Sequence, residues 1–193
     1  MAQADLTRAR LVRAALELFT TRGYHPTTTP ELARKAGIAE GTIYRHFASK
    51  QHLLNELYRG AARWGLRLVR QADEAAPQAR DKLVRLAQLL VDGAGREPAV
   101  VRLFLFQDHG EGALLDEQSR ALAREFRGAL ESVVAQGKAT GSVRPGGVDV
   151  LAAAWLGVMR VALERVVSRD WGAASAGVAL CTNAAWNAIR AED

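Results

Sequence analysis

The segment from Gly37 to Phe47 constrains the fold of this chain more than any other stretch. A glycine turn leads into a helix of about eight residues, which is too short to be stable by itself. Ile43 and Phe47 lie four residues apart and therefore on one side of that helix. The other side carries hydrogen-bonding side chains, namely Thr42, Tyr44, Arg45 and His46. Such a helix must pack through its apolar side, and its polar side has the chemistry of a helix that enters a DNA groove.

The pattern along the whole chain is helical, and no segment alternates apolar and polar residues as a strand would. The first helix is predicted over 7–22 and ends before Gly23. Thr28 and Glu31 have the spacing of a capping box that starts the second helix. The other helices are predicted at 40–47, from Ser49 onwards, and near 79–93, 98–108, 114–137, 147–168 and 173–191. The sequence thus predicts an all-α fold of about nine helices.

The positive charge is concentrated in the first third of the chain. Residues 1–60 contain nine Lys or Arg against five Asp or Glu, a net charge of +4, whereas residues 61–193 contain seventeen against sixteen, a net charge of +1. A basic module beside a neutral one is typical of nucleic-acid-binding proteins, although an ordinary solvated basic face carries the same charge. We predict a binding module over 1–50, with a flanking helix to about 60, and a second domain over 51–193.

Several classes of protein are disfavoured. Cys181 is the single cysteine, so an intramolecular disulfide and a CxxC metal site are both impossible. None of the four histidines stands in an HExxH spacing, and GxSxG, GxGxxG and P-loop sequences are absent. No apolar run approaches the roughly 20 residues that span a bilayer, and the N-terminus lacks a signal-peptide pattern. The sequence predicts a cytoplasmic protein without catalytic residues, metal or cofactor.

Two short helices joined by a glycine turn form a helix-turn-helix, whose second helix enters the major groove. Thr42 is suited to contact a base, and Gly41 lets the backbone approach closely. Arg45 suits either a guanine edge or a phosphate, and Glu40 either accepts from a cytosine or favours the positive end of the helix. The side chains predicted to contact phosphates are Thr27, Thr28, Tyr44, His46 and Lys50.

These residues carry a resemblance to a known family. The run comprises Thr27-Thr28, Glu31-Leu32-Ala33, Ala36-Gly37-Ile38, Gly41-Thr42-Ile43-Tyr44, His46-Phe47, Lys50 and Leu53-Leu54. In order and spacing it resembles the signature of TetR-family transcriptional regulators, over roughly residues 7–58. Tyr44 could instead be core aromatic surface and His46 an ordinary exposed histidine, but the resemblance favours phosphate contacts. Ala39 departs from the pattern, because many members place a capping Ser or Thr there.

The resemblance implies an all-helical regulatory domain that dimerises through its last two helices. The sequence supports this, since the helices at 147–168 and 173–191 are more apolar than one monomer needs. The residues predicted at the dimer interface are Val150, Ala154, Val158, Val161, Gly177 and Ala184. A two-fold dimer would bind a pseudo-palindromic operator with half-sites one or more DNA turns apart.

The second domain is also predicted to bind a small-molecule effector. Large apolar groups with a few polar anchors suit such a cavity, although aromatic residues on helices more often fill a core. The candidate residues are Trp64, Arg102, Phe106, His109, Phe126, Trp155 and Met159. The sequence therefore predicts a dimeric, ligand-responsive repressor that binds double-stranded DNA. An effector-independent DNA-organising protein and an activator on the same fold are the alternatives.

Overall fold

The computed structural model describes residues 2–105 and 112–192 of the chain. Within these ranges the chain forms nine α-helices, and the β-type pairing consists of one isolated bridge between Val143 and Arg190. The helices are α1 (Ala2–Thr21), α2 (Thr29–Ala36), α3 (Glu40–His46), α4 (Lys50–Ala75), α5 (Ala79–Arg96), α6 (Pro98–Leu105), α7 (Glu117–Ala139), α8 (Val148–Val167) and α9 (Ala176–Asn187). A short 3-10 turn precedes α7. The predicted all-α fold is confirmed.

Helices α1, α2 and α3, with the start of α4, form the N-terminal module. Helix α2 starts with the predicted capping box, because Thr28 Oγ1 accepts from the backbone N–H of Glu31 and the Glu31 carboxylate accepts from the backbone N–H of Thr28. It ends at Gly37, whose φ of +64° lies in the left-handed region that favours glycine. The chain therefore turns sharply into α3 at the position that the sequence indicated.

Helix α3 is held by its apolar side. Ile43 is completely buried and Phe47 is 1% exposed. Ala39, at the N-cap, makes no side-chain hydrogen bond to the helix. A seven-residue helix without this cap depends on packing against its neighbours for its stability.

Helix α4 runs from the N-terminal module into the second domain, where it packs against α5 and α7. Helices α8 and α9 pack against each other, and Trp155 of α8 is the largest of the fully buried side chains. One continuous cluster of buried residues extends through both parts of the described chain. The domain boundary proposed from the sequence therefore stays a prediction, since α4 belongs to both parts.

Several predicted helix ends are wrong. Helix α5 continues to Arg96 instead of stopping at Gly93. This glycine does not end the helix but allows close packing, since a Cβ there would lie 2.3 Å from Cζ2 of Trp64. Helix α1 begins at Ala2 rather than near residue 7. The differences at the other ends are a start of α7 at Glu117 rather than 114 and an α9 of Ala176–Asn187 rather than 173–191.

Candidate nucleic-acid interface

The outer side of α3 is open to solvent. Gly41, Tyr44 and Arg45 are exposed, while Thr42 and His46 are half-buried. Tyr44 is 54% exposed, which is unusual for a large aromatic side chain and does not fit the alternative of core packing. A Cβ at Gly41 would meet nothing within 4 Å, so the fold itself does not require glycine there. The absent side chain therefore leaves room for another molecule at the start of α3.

Glu40, the first residue of α3, contacts the start of α2. Its Oε1 accepts a hydrogen bond of 3.0 Å from the hydroxyl of Thr29. The carboxylate also stands in the first turn of the helix, where negative charge is favourable. This geometry favours the role of Glu40 at the helix end over a contact with cytosine.

The two threonines before α2 use their hydroxyl groups in hydrogen bonds within the protein. The hydroxyl of Thr27 is fully buried and donates to the carbonyl oxygen of Gly23 at 2.7 Å, so the predicted phosphate contact of this side chain is wrong. Thr28 is exposed, but its hydroxyl donates to the Glu31 carboxylate and accepts from the Glu31 backbone. The capping-box spacing predicts the partner of Thr28, whereas nothing in the sequence indicates the bond from Thr27 to Gly23.

Lys50 joins the start of α4 to the segment between α1 and α2. Its Nζ donates to the carbonyl oxygens of Tyr24 and Thr27, at 2.9 and 2.8 Å, and lies 4.1 Å from the centre of the Tyr24 ring. Partial burial lowers the pKa of the ammonium group below its usual value. Two of the three N–H donors are thus used within the protein, which leaves one for a phosphate.

We expect Lys50→Met to lower the free energy of unfolding by about 1–3 kcal/mol, because two carbonyl groups lose their donor. Thermal or urea unfolding measures this loss. Lys35→Met is the matched control, since Lys35 forms only an exposed ion pair with Glu17, and such pairs contribute about 0–1 kcal/mol. Equal stability of the two variants would contradict the structural role of Lys50.

Sequence analysis missed two arginines of α1 that hold the helix-turn-helix. A guanidinium N–H of Arg10 donates to the carbonyl oxygen of Gly37 at 3.0 Å. The guanidinium of Arg8 lies 5.2 Å from the centre of the Phe47 ring. Their partners lie far along the chain, so helical periodicity could not reveal these contacts.

The second domain contains a cavity of about 310 Å³ between α4, α6, α7 and α8. Its walls are mainly apolar and aromatic, with Tyr58, Phe104, Phe126, Leu130, Ala152 and Leu156 among them. The rings of Phe104 and Phe126 pack edge-to-face with centroids 4.8 Å apart. Four charged side chains also line it, namely Arg127, Glu131, Asp149 and Arg160. The combination of apolar walls and a few charged groups is typical of a small-molecule site.

Only part of the predicted effector site lies at this cavity. Phe126 lines it, whereas Trp155 and Met159 are core residues that are 1% and 0% exposed and do not line it. Trp64 lies in a separate groove with α1 residues, and Arg102 points to the carbonyl oxygen of Val167. The remaining two candidates, Phe106 and His109, lie outside the described residues. The lining residues of α7 and α8 recur at helical spacing, which is the signal that could have found them.

An apolar stripe runs along the outside of α8 and α9. Val150, Val161 and Leu180 are 64%, 50% and 70% exposed. The predicted interface residues Ala154 and Ala184 are also exposed, and Val158 is half-buried. Gly177 was assigned to a partner subunit, but a Cβ there would lie 2.7 Å from the ring of Trp171, so its small size serves packing within the chain. Leu180, which the sequence analysis did not single out, is the most exposed large apolar residue of the stripe.

The described ranges, 2–105 and 112–192, contain no cluster of three or more His, Cys, Asp or Glu side chains that could hold a metal ion. No helix within them has the length and apolar character to cross a membrane.

A short helix that follows a glycine turn and presents polar side chains defines a helix-turn-helix protein, here with a larger helical domain behind it. Residues 11–57 match the family model described as bacterial regulatory proteins, tetR family. The helix-turn-helix module of this chain is therefore of the tetR-family type.

Individual relatives extend this comparison. The HTH-type transcriptional repressor KstR2 of Mycobacterium tuberculosis is 40% identical over 62 residues, which are 32% of this chain and 31% of that protein. The fatty acid metabolism regulator protein of Bacillus subtilis is 24% identical over 140 residues, 71% of each chain. A TetR family transcription regulator from Marinobacter aquaeolei has the same fold over 100% of both chains, with a TM-score of 0.83 and 20% identity. This chain therefore matches only about a third of the length of the first relative.

Proposed function

We propose that this chain is a dimeric DNA-binding transcriptional regulator, and specifically a repressor that a small molecule releases from its operator. One observation carries the proposal. Helix α3 is anchored by buried Ile43 and Phe47, and it presents Tyr44 and Arg45 to solvent beside the bare backbone of Gly41. A rigidly held helix with exposed donors is what the major groove accepts. A protein with this role acts in the cytoplasm, where a bacterial chromosome lies.

The contacts divide by task. Gly41, Thr42 and Arg45 face the bases, and Tyr44 and His46 flank them toward the phosphates. The remaining N–H of Lys50 adds a phosphate contact, whereas Thr28 caps α2, Thr27 supports the turn from inside and Glu40 holds α3 to α2. So small a surface contacts only a few base pairs. Specific binding therefore needs two copies.

The apolar stripe of α8 and α9 supplies the pairing surface in this proposal. Val150, Val161 and Leu180 are exposed on the two helices that pack against each other, and a contiguous exposed apolar patch is typical of an interaction surface. A second copy on this stripe would form a four-helix interface with two-fold symmetry. Two recognition helices would then meet two half-sites of one operator.

The cavity of the second domain supplies the effector site. Its apolar walls and charged residues of both signs suit a mainly apolar molecule with a polar end. Two relatives are named as a transcriptional repressor and a fatty acid metabolism regulator, which agrees with a repressor that responds to an apolar metabolite. A ligand that binds the DNA-free conformation more tightly would lower operator affinity.

The experiment is selection from fragmented genomic DNA with the purified protein, followed by footprinting of the enriched fragments. We expect protection of two inverted half-sites whose centres lie one helical turn, about 34 Å, or a multiple of it apart. Enrichment without symmetry would contradict the dimeric regulator and favour an effector-independent DNA-organising protein. Reporter expression from the same fragments distinguishes a repressor from an activator.

A substitution in α7 tests the effector site. We expect Ala123→Leu to fill part of the cavity and to weaken binding of an apolar ligand found by thermal-shift screening by at least about 10-fold, because overpacking excludes the ligand. DNA binding without ligand should be unchanged. Ala121→Leu is the matched control, since Ala121 is exposed on the same helix and does not line the cavity. Equal ligand affinity of both variants would place the effector elsewhere.

A further inference from the structure

A polar cluster joins the first turn of α7 to the second turn of α4. Asn55 and Ser119 are 2% and 0% exposed. The Asn55 carbonyl oxygen accepts from the backbone N–H of Asp116 at 2.8 Å and from the Ser119 hydroxyl at 2.7 Å. The Asn55 amide donates to the carbonyl oxygen of Leu114 at 2.9 Å. Because buried polar groups are costly to leave unpaired, these bonds fix the start of α7 against α4.

A row of four charged side chains continues from this cluster to α1, and we call it the ion-pair chain. Its members are Asp116, Arg59, Glu56 and Arg8. Asp116 Oδ2 and an Arg59 guanidinium nitrogen are 2.7 Å apart, and Arg59, only 5% exposed as a residue, also contacts Oε1 of Glu56. Oε2 of Glu56 lies 3.0 Å from the guanidinium of Arg8. One carboxylate thus connects two arginines on different helices.

The pKa values agree with this connectivity. The hydrogen bond from Arg59 lowers the pKa of Glu56. Partial burial alone would raise the pKa of Asp116, but the hydrogen bonds from Ser119 and Arg59 lower it overall. Both carboxylates are therefore held in their charged form.

The ion-pair chain ends at the recognition helix. The guanidinium of Arg8 lies over the ring of Phe47, whose backbone N–H closes α3 by donating to Ile43. Phe47 is one of the two buried residues that orient α3. The first turn of α7 and the end of α3 are thus joined by direct contacts through α4 and α1, without any residue that touches the predicted DNA surface.

We propose that the ion-pair chain positions α3 for DNA binding, so that the first turn of α7 determines how firmly the recognition helix is held in place. This inference rests on the proposed function for its consequence at DNA, but its effect on α3 is measurable without DNA. The cavity-lining residues Ala123 and Phe126 follow the same turn in α7. A molecule that shifts this part of α7 would therefore act directly on the ion-pair chain.

The experiment compares Asp116→Asn with Asp73→Asn. Asparagine remains a good N-cap for α7 through its amide oxygen, but it replaces the charged oxygen that accepts from Arg59 with a neutral amide nitrogen. Asp73 is the matched control, because it pairs with buried Lys82 in the same domain at 2.6 Å, its side chain is 43% exposed against 46% for Asp116, and it does not contact the ion-pair chain. Amide hydrogen exchange of residues 40–46 in the free protein is the primary readout, and operator affinity is the second.

We expect faster exchange in α3 and about 2- to 30-fold weaker operator binding for Asp116→Asn, with both quantities unchanged in Asp73→Asn. Adding Asp116→Asn to Arg8→Gln should have no further effect on either quantity, since the ion-pair chain is already interrupted at Arg8. Equal α3 exchange in the two single variants, or full additivity with Arg8→Gln, would overturn the inference. If the wild-type protein binds no operator in preference to other DNA, the proposed function is wrong. Hydrogen exchange of residues 40–46 still decides whether the ion-pair chain positions α3.

Discussion

Leu180→Glu is expected to convert the proposed dimer into monomers and to weaken operator binding by about 10²- to 10⁴-fold. Leu180 is 70% exposed in the single chain, so the substitution leaves the fold of the monomer intact. In the proposed dimer the new carboxylate would be buried against the partner without a counter-ion, which is strongly unfavourable. Monomers would bind each half-site separately and would lose the gain from linking two sites, which is typically about 10²- to 10⁴-fold.

Light scattering and DNA titration measure the two consequences of this change. Ala135→Glu is the control, because Ala135 is exposed on α7, outside the apolar stripe, and receives the same charge. A Leu180→Glu protein that remains dimeric would show that the stripe of α8 and α9 is not the interface. A monomeric variant with wild-type operator affinity would show that pairing is not needed for binding.

Phe47→Ala is expected to lower the free energy of unfolding by about 3–5 kcal/mol, since it leaves a cavity in a packed core. Phe47 is 1% exposed, packs edge-to-face on His52 and lies under the guanidinium of Arg8. Loss of the ring removes the contact that orients the end of α3. Specific DNA binding should therefore disappear even at temperatures where the second domain remains folded.

Denaturant unfolding and circular dichroism measure this loss of stability. Phe47→Leu provides the comparison, because it keeps most of the buried volume and should cost less than about 1.5 kcal/mol. It should retain most of the operator affinity. If Phe47→Ala proved as stable as Phe47→Leu, the ring would not be a central element of the N-terminal module.

The local features of the helix-turn-helix were predictable because their partners are close in sequence. The capping box pairs Thr28 with Glu31, three positions away, and Ile43 and Phe47 share a helix face by spacing alone. The left-handed Gly37 also follows from its place after a helical pattern. Exposure of Tyr44 followed from the burial of its two neighbours on the opposite face.

Features that depend on distant partners were not predictable from the sequence. Lys50 uses two donors on carbonyl groups of Tyr24 and Thr27, more than twenty positions earlier, and the same fold buries the Thr27 hydroxyl. From the sequence, Gly93 was predicted to end a helix and Gly177 to lie at the dimer interface. Each of them instead leaves room for a tryptophan ring of the same chain. Periodicity shows which face of a helix is apolar, but not whether that face borders a core or a cavity.

Sequence-specific DNA binding is tested most directly by the ratio of the dissociation constants for the selected operator and for a scrambled duplex of equal length, measured at several salt concentrations. We expect a ratio of at least about 10³ at physiological salt. We also expect a smaller ratio for Arg45→Ala, because we propose that this side chain contacts the bases. A ratio near one at every salt concentration would mean that charge alone drives binding, and it would contradict a sequence-specific regulator.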